Sequence, residues 1–211
     1  MKTVLCFSIL MTGILSAQSE FQPEGSELTM SIKGDLDDDK VPEMVNIYTL
    51  KDTTDMGNVR EIQILKRMNN KWMVWEKSRK AVLPSKGGGM SGDPLDDVEI
   101  SKGILIINQA GGSSWKWANT DKYRFQHGNF ELIGYSTTYG RLGDYWADVD
   151  FNLSTGKLAY TKEVDDTSDP ENGKSESETI IRKGFKINLR NRSDFKKTYF
   201  ILPKTKAKIY L

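Results

Sequence analysis

From residue 28 onward, apolar residues recur at every second position far more often than at a helical spacing. That alternation predicts strands over 28–33, 44–50, 60–68, 71–77, 97–101, 103–109, 120–126, 129–138, 144–152, 156–162, 179–187 and 206–211. The runs are short and rich in Ile, Val, Tyr, Phe and Trp, and turn residues separate them. Asn69-Asn70, Lys102-Gly103, His127-Gly128-Asn129 and Ser154-Thr155-Gly156 each fall between two such runs. Asn and Gly tolerate the positive φ that tight hairpins require. No stretch of a dozen residues carries an apolar stripe with a 3.6-residue period. The pattern therefore reads as all-β: a single-domain antiparallel meander with little helix, built as a sandwich, an open barrel or a propeller-like array.

Three segments break the rhythm. The first is the N-terminus, where Lys2 precedes an apolar run from Val4 to Leu15 and small residues follow at Ser16-Ala17. This is the layout of an export signal. The run falls short of the roughly 20 residues that span a bilayer. Residues 1–17 read as a signal peptide and 18–211 as the exported domain, with the periplasm or the extracellular surface as its destination and no stable membrane insertion after cleavage. The second segment, 84–96, is a Gly-rich loop. Its Gly87, Gly89 and Gly92 satisfy G-x-G-x-x-G, but Asp93-Pro94 follows and no βαβ unit surrounds it, so it reads as a strained or flexible loop. The third, 163–178, carries seven acidic residues and one lysine, and reads as a mobile, solvated acidic loop.

Charge and cysteine content sharpen this picture. The chain has 30 Lys+Arg and 29 Asp+Glu. That near-neutrality hides the acidic 163–178 followed by a basic end, where ten Lys/Arg between Arg182 and Lys208 meet only Asp194. The basic end can be a polyanion-binding tail, a charged edge strand or a partner for the acidic segment. Nucleic acid is not expected as a partner, and nothing in the sequence speaks to oligomeric state. The single cysteine, Cys6, lies in the signal segment, and His127 is the only histidine. This excludes a disulfide framework, a Cys/His zinc site and a Cys–His catalytic pair.

The sharpest chemical feature is Gly34-Asp35-Leu36-Asp37-Asp38-Asp39-Lys40-Val41-Pro42-Glu43. Counted from Asp35, carboxylates fall at positions 1, 3, 5 and 9, and the Val41 carbonyl falls at 7. Calcium takes six to eight hard oxygen ligands, and this spacing converges them. Asp35, Asp37, Asp39, Val41 and Glu43 are thus candidate ligands of a structural calcium ion between two strands. The competing reading is an Asp-rich turn whose carboxylates cap backbone N–H groups.

At these residues the chain resembles the calcium loops of FG-GAP and VCBS type repeats, D-x-D/N-x-D-G-x-x-D followed by an apolar strand. It departs at Lys40, where that pattern has the Gly that eases a sharp turn, and only one copy is present. The stretches GDLDDDKVPEMV, GGSSWKWANTDKYRFQHGNFELIGYS and DFNLSTGKL resemble small secreted single-domain proteins of unknown function from Bacteroides-like bacteria. That resemblance implies export and an all-β fold, and no activity.

Aromatic residues supply the remaining candidates. Trp115 and Trp117 are two apart and share one face of a strand. With Tyr139 and Trp146 they are candidates for a platform binding a glycan or peptide; the alternative is that they belong to the core. The function expected is a non-catalytic envelope or extracellular module with a calcium loop. The alternative is a carboxylate-dependent hydrolase of surface glycans, drafting Asp144, Asp148 or Asp150.

Overall fold

The computed structural model describes residues 20–164, 175–195 and 198–211. Residues 1–19, which include the expected signal peptide, and residues 165–174 of the acidic segment lie outside the described residues. Thirteen strands follow in order: β1 (Glu27–Gly34), β2 (Glu43–Thr54), β3 (Gly57–Met68), β4 (Lys71–Ser78), β5 (Leu95–Ser101), β6 (Ile104–Gly112), β7 (Lys116–Gln126), β8 (Asn129–Arg141), β9 (Tyr145–Asn152), β10 (Lys157–Val164), β11 (Ser175–Ile181), β12 (Tyr199–Ile201) and β13 (Lys208–Tyr210). Among the described residues, helix is confined to short pieces, and none is long and apolar enough to cross a membrane.

Every neighbouring pair is antiparallel, and both large sheets are meanders. One sheet has four strands in the order β1-β2-β3-β4. The other has seven, β11-β10-β9-β8-β7-β6-β5. The hairpin β12-β13 stands apart as a two-stranded sheet. Neither large sheet closes into a barrel. The expected all-β antiparallel meander is what the chain forms.

The turns follow from their residues. Asn69, Asn70, Lys102 and His127 take positive φ at hairpin tips, joined by Gly103, Gly128 and Gly156. A single buried cluster draws on both sheets and the C-terminal segment: Ile47, Ile62 and Ile64 from the small sheet, Ile107, Tyr123 and Phe151 from the large one, and Leu189, Leu202 and Ile209 from the C-terminus. Each such side chain contributes about 1.5–3 kcal/mol when taken from water. The large sheet has its other face in solvent, with Ser136, Asp148, Asp150 and Thr161 on it, as a half-buried antiparallel sheet should.

Three expectations are corrected. The acidic segment is not loop throughout: Glu163 and Val164 end β10, and Ser175 to Glu178 begin β11, with Glu163 opposite Ser175. Charge on an exposed edge strand costs little and guards the edge, which is why polarity alone misled there. The strand expected at 179–187 stops at Ile181, and 182–187 belongs to no strand, with Gly184 at φ 99°. The Gly-rich segment is built tightly rather than loosely. Gly112 N–H donates to the Gly88 carbonyl (2.8 Å), and a Cβ on Gly111 would come within 2.6 Å of the Gly88 Cα.

Candidate functional site

Register across the large sheet decides which aromatic residues meet. Trp117 pairs with Tyr139, Tyr139 with Ala147, Ala147 with Lys162, and Lys162 with Glu176. These five residues therefore form one row on one face, crossing β7 to β11. The next row inward is Asn119, Thr137, Val149, Tyr160 and Glu178. Below it lie Asp121, Tyr135, Phe151, Leu158 and Ile180 in the core. Above the first row, Tyr145 faces the same way, because residues 145, 147 and 149 alternate outward of 146, 148 and 150.

The hairpin β12-β13 forms the opposite wall. Glu178 fixes it: its carboxylate accepts the N–H groups of Lys204 (3.0 Å) and Thr205 (2.8 Å) and the Thr205 hydroxyl (2.9 Å). Between wall and sheet face lies a cavity of about 620 Å³, lined by Trp117, Tyr139, Tyr145, Tyr160, Lys162 and Glu176 among others. The Trp115 ring extends the aromatic edge, 5.1 Å from Tyr145, with Arg141 stacked over it at 5.1 Å. Tyr139 and Tyr145 meet edge to face at 6.4 Å, and the Lys162 ammonium stands 4.4 Å over the Tyr145 ring.

The polar groups here are unspent. The Tyr139, Tyr145 and Tyr160 hydroxyls make no hydrogen bond to any other described residue. Burial, then the neighbouring Tyr139, Glu176 and Tyr145, push the Tyr160 phenol up to about 12. Burial pushes Tyr139 up as well. Both stay protonated donors at any physiological pH.

Of the four aromatic candidates, the fold brings Trp115, Trp117 and Tyr139 to one mouth. Trp146 is not among them: it sits opposite Gly140 on the far face of β9, because strand side chains alternate with period two. Tyr160 and Lys162 were missed as site residues; their register with Tyr139 comes from pairing across β8 to β10. The carboxylates considered for hydrolysis do not enter the cavity. Asp148 and Asp150 lie on the solvent face, Asp148 taking the Thr138 hydroxyl, and Asp144 pairs with Arg141 at 2.7 Å.

The acidic loop between β1 and β2 is a second candidate. Oxygens of Asp35, Asp37 and Asp39 all lie within 4.8 Å of one another. Asp35 organises the turn: Oδ1 accepts Asp38 N–H (2.7 Å) and Oδ2 accepts Lys40 N–H (2.8 Å). Lys40 takes φ 64° at the place where a Gly was expected. A non-Gly residue there costs about 1–2 kcal/mol, and the Asp35 bond offsets part of it. Val41 donates its N–H to Asp39 (2.8 Å), and its side chain is exposed. Glu43 opens β2 fully buried, with Oε2 on the Leu36 N–H (2.8 Å) and Oε1 without a hydrogen bond.

One cation enters this cluster from β3. The Lys66 ammonium bonds Asp37 and Asp39 and lies 3.4 Å from Glu43 Oε1. Burial alone would lower the Lys66 ammonium, but the Asp37 and Asp39 hydrogen bonds outweigh it and hold it well above the usual lysine value. The same lysine holds Asp39 below the ordinary carboxylate value, whereas burial pushes Glu43 up. Lys66 lies 29 residues beyond Asp37, and no local spacing flags it. No family model, curated protein or solved structure matches this chain.

Proposed function

We propose that the chain is a non-catalytic binding module of an exported protein, and that its ligand enters the aromatic cavity between the large sheet and the β12-β13 hairpin. The observation carrying this is the convergence of three phenol hydroxyls without hydrogen-bond partners among the described residues on a cavity walled by Trp117 and Tyr139. Concave sites with apolar walls and a few unpaired polar groups are where small ligands bind. Flat rings beside donors suit a pyranose, whose C–H face stacks while its hydroxyls bond. Glycoside hydrolysis uses two carboxylates flanking the bond, and Glu176 is the one carboxylate among the described lining residues.

The test is calorimetric titration with a panel of oligosaccharides and short peptides. Saturable binding of a saccharide that disappears in Tyr139→Ala, with the melting temperature kept, supports the reading. Absence of saturable binding across the panel defeats it.

We also propose that Asp35, Asp37, Asp39 and Glu43, with the Val41 carbonyl, hold a structural calcium ion. The donor set is hard oxygen throughout, as calcium prefers, and oxygens of Asp35, Asp37 and Asp39 already converge within 4.8 Å of one another. Lys66 then acts as the resident counter-charge that the ion displaces.

A further inference from the structure

The chemistry of the cavity narrows the ligand class, on the premise that the cavity is a saccharide site. Its described lining carries Lys162, Lys206 and Lys208 against the single acid Glu176. Lys206 Nζ is committed to the Pro203 carbonyl (2.6 Å). Lys208 Nζ lies over the Tyr199 and Tyr210 rings at 3.7 and 4.9 Å. Both still contribute positive charge to the mouth. Lys162 differs: the residue is half-buried, and among the described residues no carboxylate lies within ion-pair distance, although Glu176 is its neighbour across the strand pair. Its ammonium stands over the Tyr145 ring. Among the described residues this ammonium has no hydrogen-bond acceptor. The three phenols add hydroxyls that can donate to the same ligand.

We infer that the cavity selects a carboxylate-bearing sugar, a uronic acid unit, with its ring against Trp117 and Tyr139 and its carboxylate on the Lys162 ammonium. A partly desolvated ammonium–carboxylate bond is worth more than a neutral one, enough for roughly tenfold selectivity or more over an uncharged analogue.

The experiment titrates the protein with trigalacturonate and trimannuronate, and with the methyl ester of each, by calorimetry. At least one acid should bind about tenfold tighter than its ester. Lys162→Met should erase that difference, and Lys162→Arg should keep it. Melting curves of both variants control for folding. Equal affinities for acid and ester, or binding of neutral oligosaccharides alone, overturn the acid preference and leave the saccharide site standing. An acid preference that survives in Lys162→Met also overturns it. If no sugar of either kind binds, both this inference and the binding-module reading fall.

Discussion

Arg192 shows how much one residue can carry. Its Nε donates to Asp121 Oδ2 at 2.7 Å and its Nη2 to Oδ1 at 3.0 Å, with both side chains about 4 % exposed. The Tyr123 hydroxyl donates to the same carboxylate at 3.1 Å, and the guanidinium lies 5.0 Å over the Tyr135 ring, beneath the cavity. Burial alone would lower the Arg192 guanidinium; the Asp121 charge and hydrogen bonds outweigh it and raise it further. Removing one partner leaves a buried charge unpaired, at about 3–5 kcal/mol. Arg192→Met should lose that much in urea denaturation, and Arg192→Met with Asp121→Leu should recover a good part of it. A single variant as stable as the wild type would show that the pair is not holding the core. In the sequence this arginine is one of ten cations in a basic tail, and its partner is 71 residues away. Local pattern cannot tell a buried arginine from a solvated one.

At the scale of elements, the sequence is most legible where structure is local. The Asn, Lys and His residues at hairpin tips carry the positive φ that their positions implied, and most strands from β1 to β10 fall within a few residues of the alternating runs. It is least legible at the far edge of the large sheet. There β11 begins among acids, and β12 has only three residues, too few for a period to register. Yet this edge builds the cavity, because Glu178 on β11 pins residues 204 and 205 of the hairpin loop. Burial would raise the Glu178 carboxyl, but the Thr205 and Lys204 amides outweigh it and hold it below 4.5. Its contribution is thus fully present above 4.5, the value of the free group, and is lost as pH falls through the lower native value. Glu178→Ala should speed amide hydrogen exchange at 204 and 205 at neutral pH, leave β8 and β9 protected, and weaken ligand binding. Unchanged exchange in the variant would mean that the hairpin is seated by its apolar contacts, Phe200 on Phe151 and Phe185 among them.

At the scale of the molecule, two open sheets share one core without an internal disulfide, since Cys6 is the only cysteine of the sequence. The acidic loop is tied to that core: Leu36 is 2 % exposed within the cluster, and Glu43 holds its N–H. An ion bound at the loop therefore stabilises the folded state as a whole. The carboxylate spacing was legible in the sequence because Asp35, Asp37, Asp39 and Glu43 fall within nine residues of one another. The competing cation was not, because β3 delivers it only after the sheet has formed. Calcium at 100 times its dissociation constant adds about 2.7 kcal/mol. For a domain of this size, that is a rise in melting temperature of about 5–10 °C over the same protein in EGTA. Asp37→Ala should abolish the shift. Lys66→Met should separate the two cations. In EGTA the variant loses the ammonium that offsets the clustered carboxylates and melts below the wild type. In calcium it no longer has a side chain to displace, so its shift exceeds the wild-type one. A wild type that melts identically in EGTA and in millimolar calcium, or an Asp37→Ala shift of full size, would leave Lys66 as the only cation this loop holds.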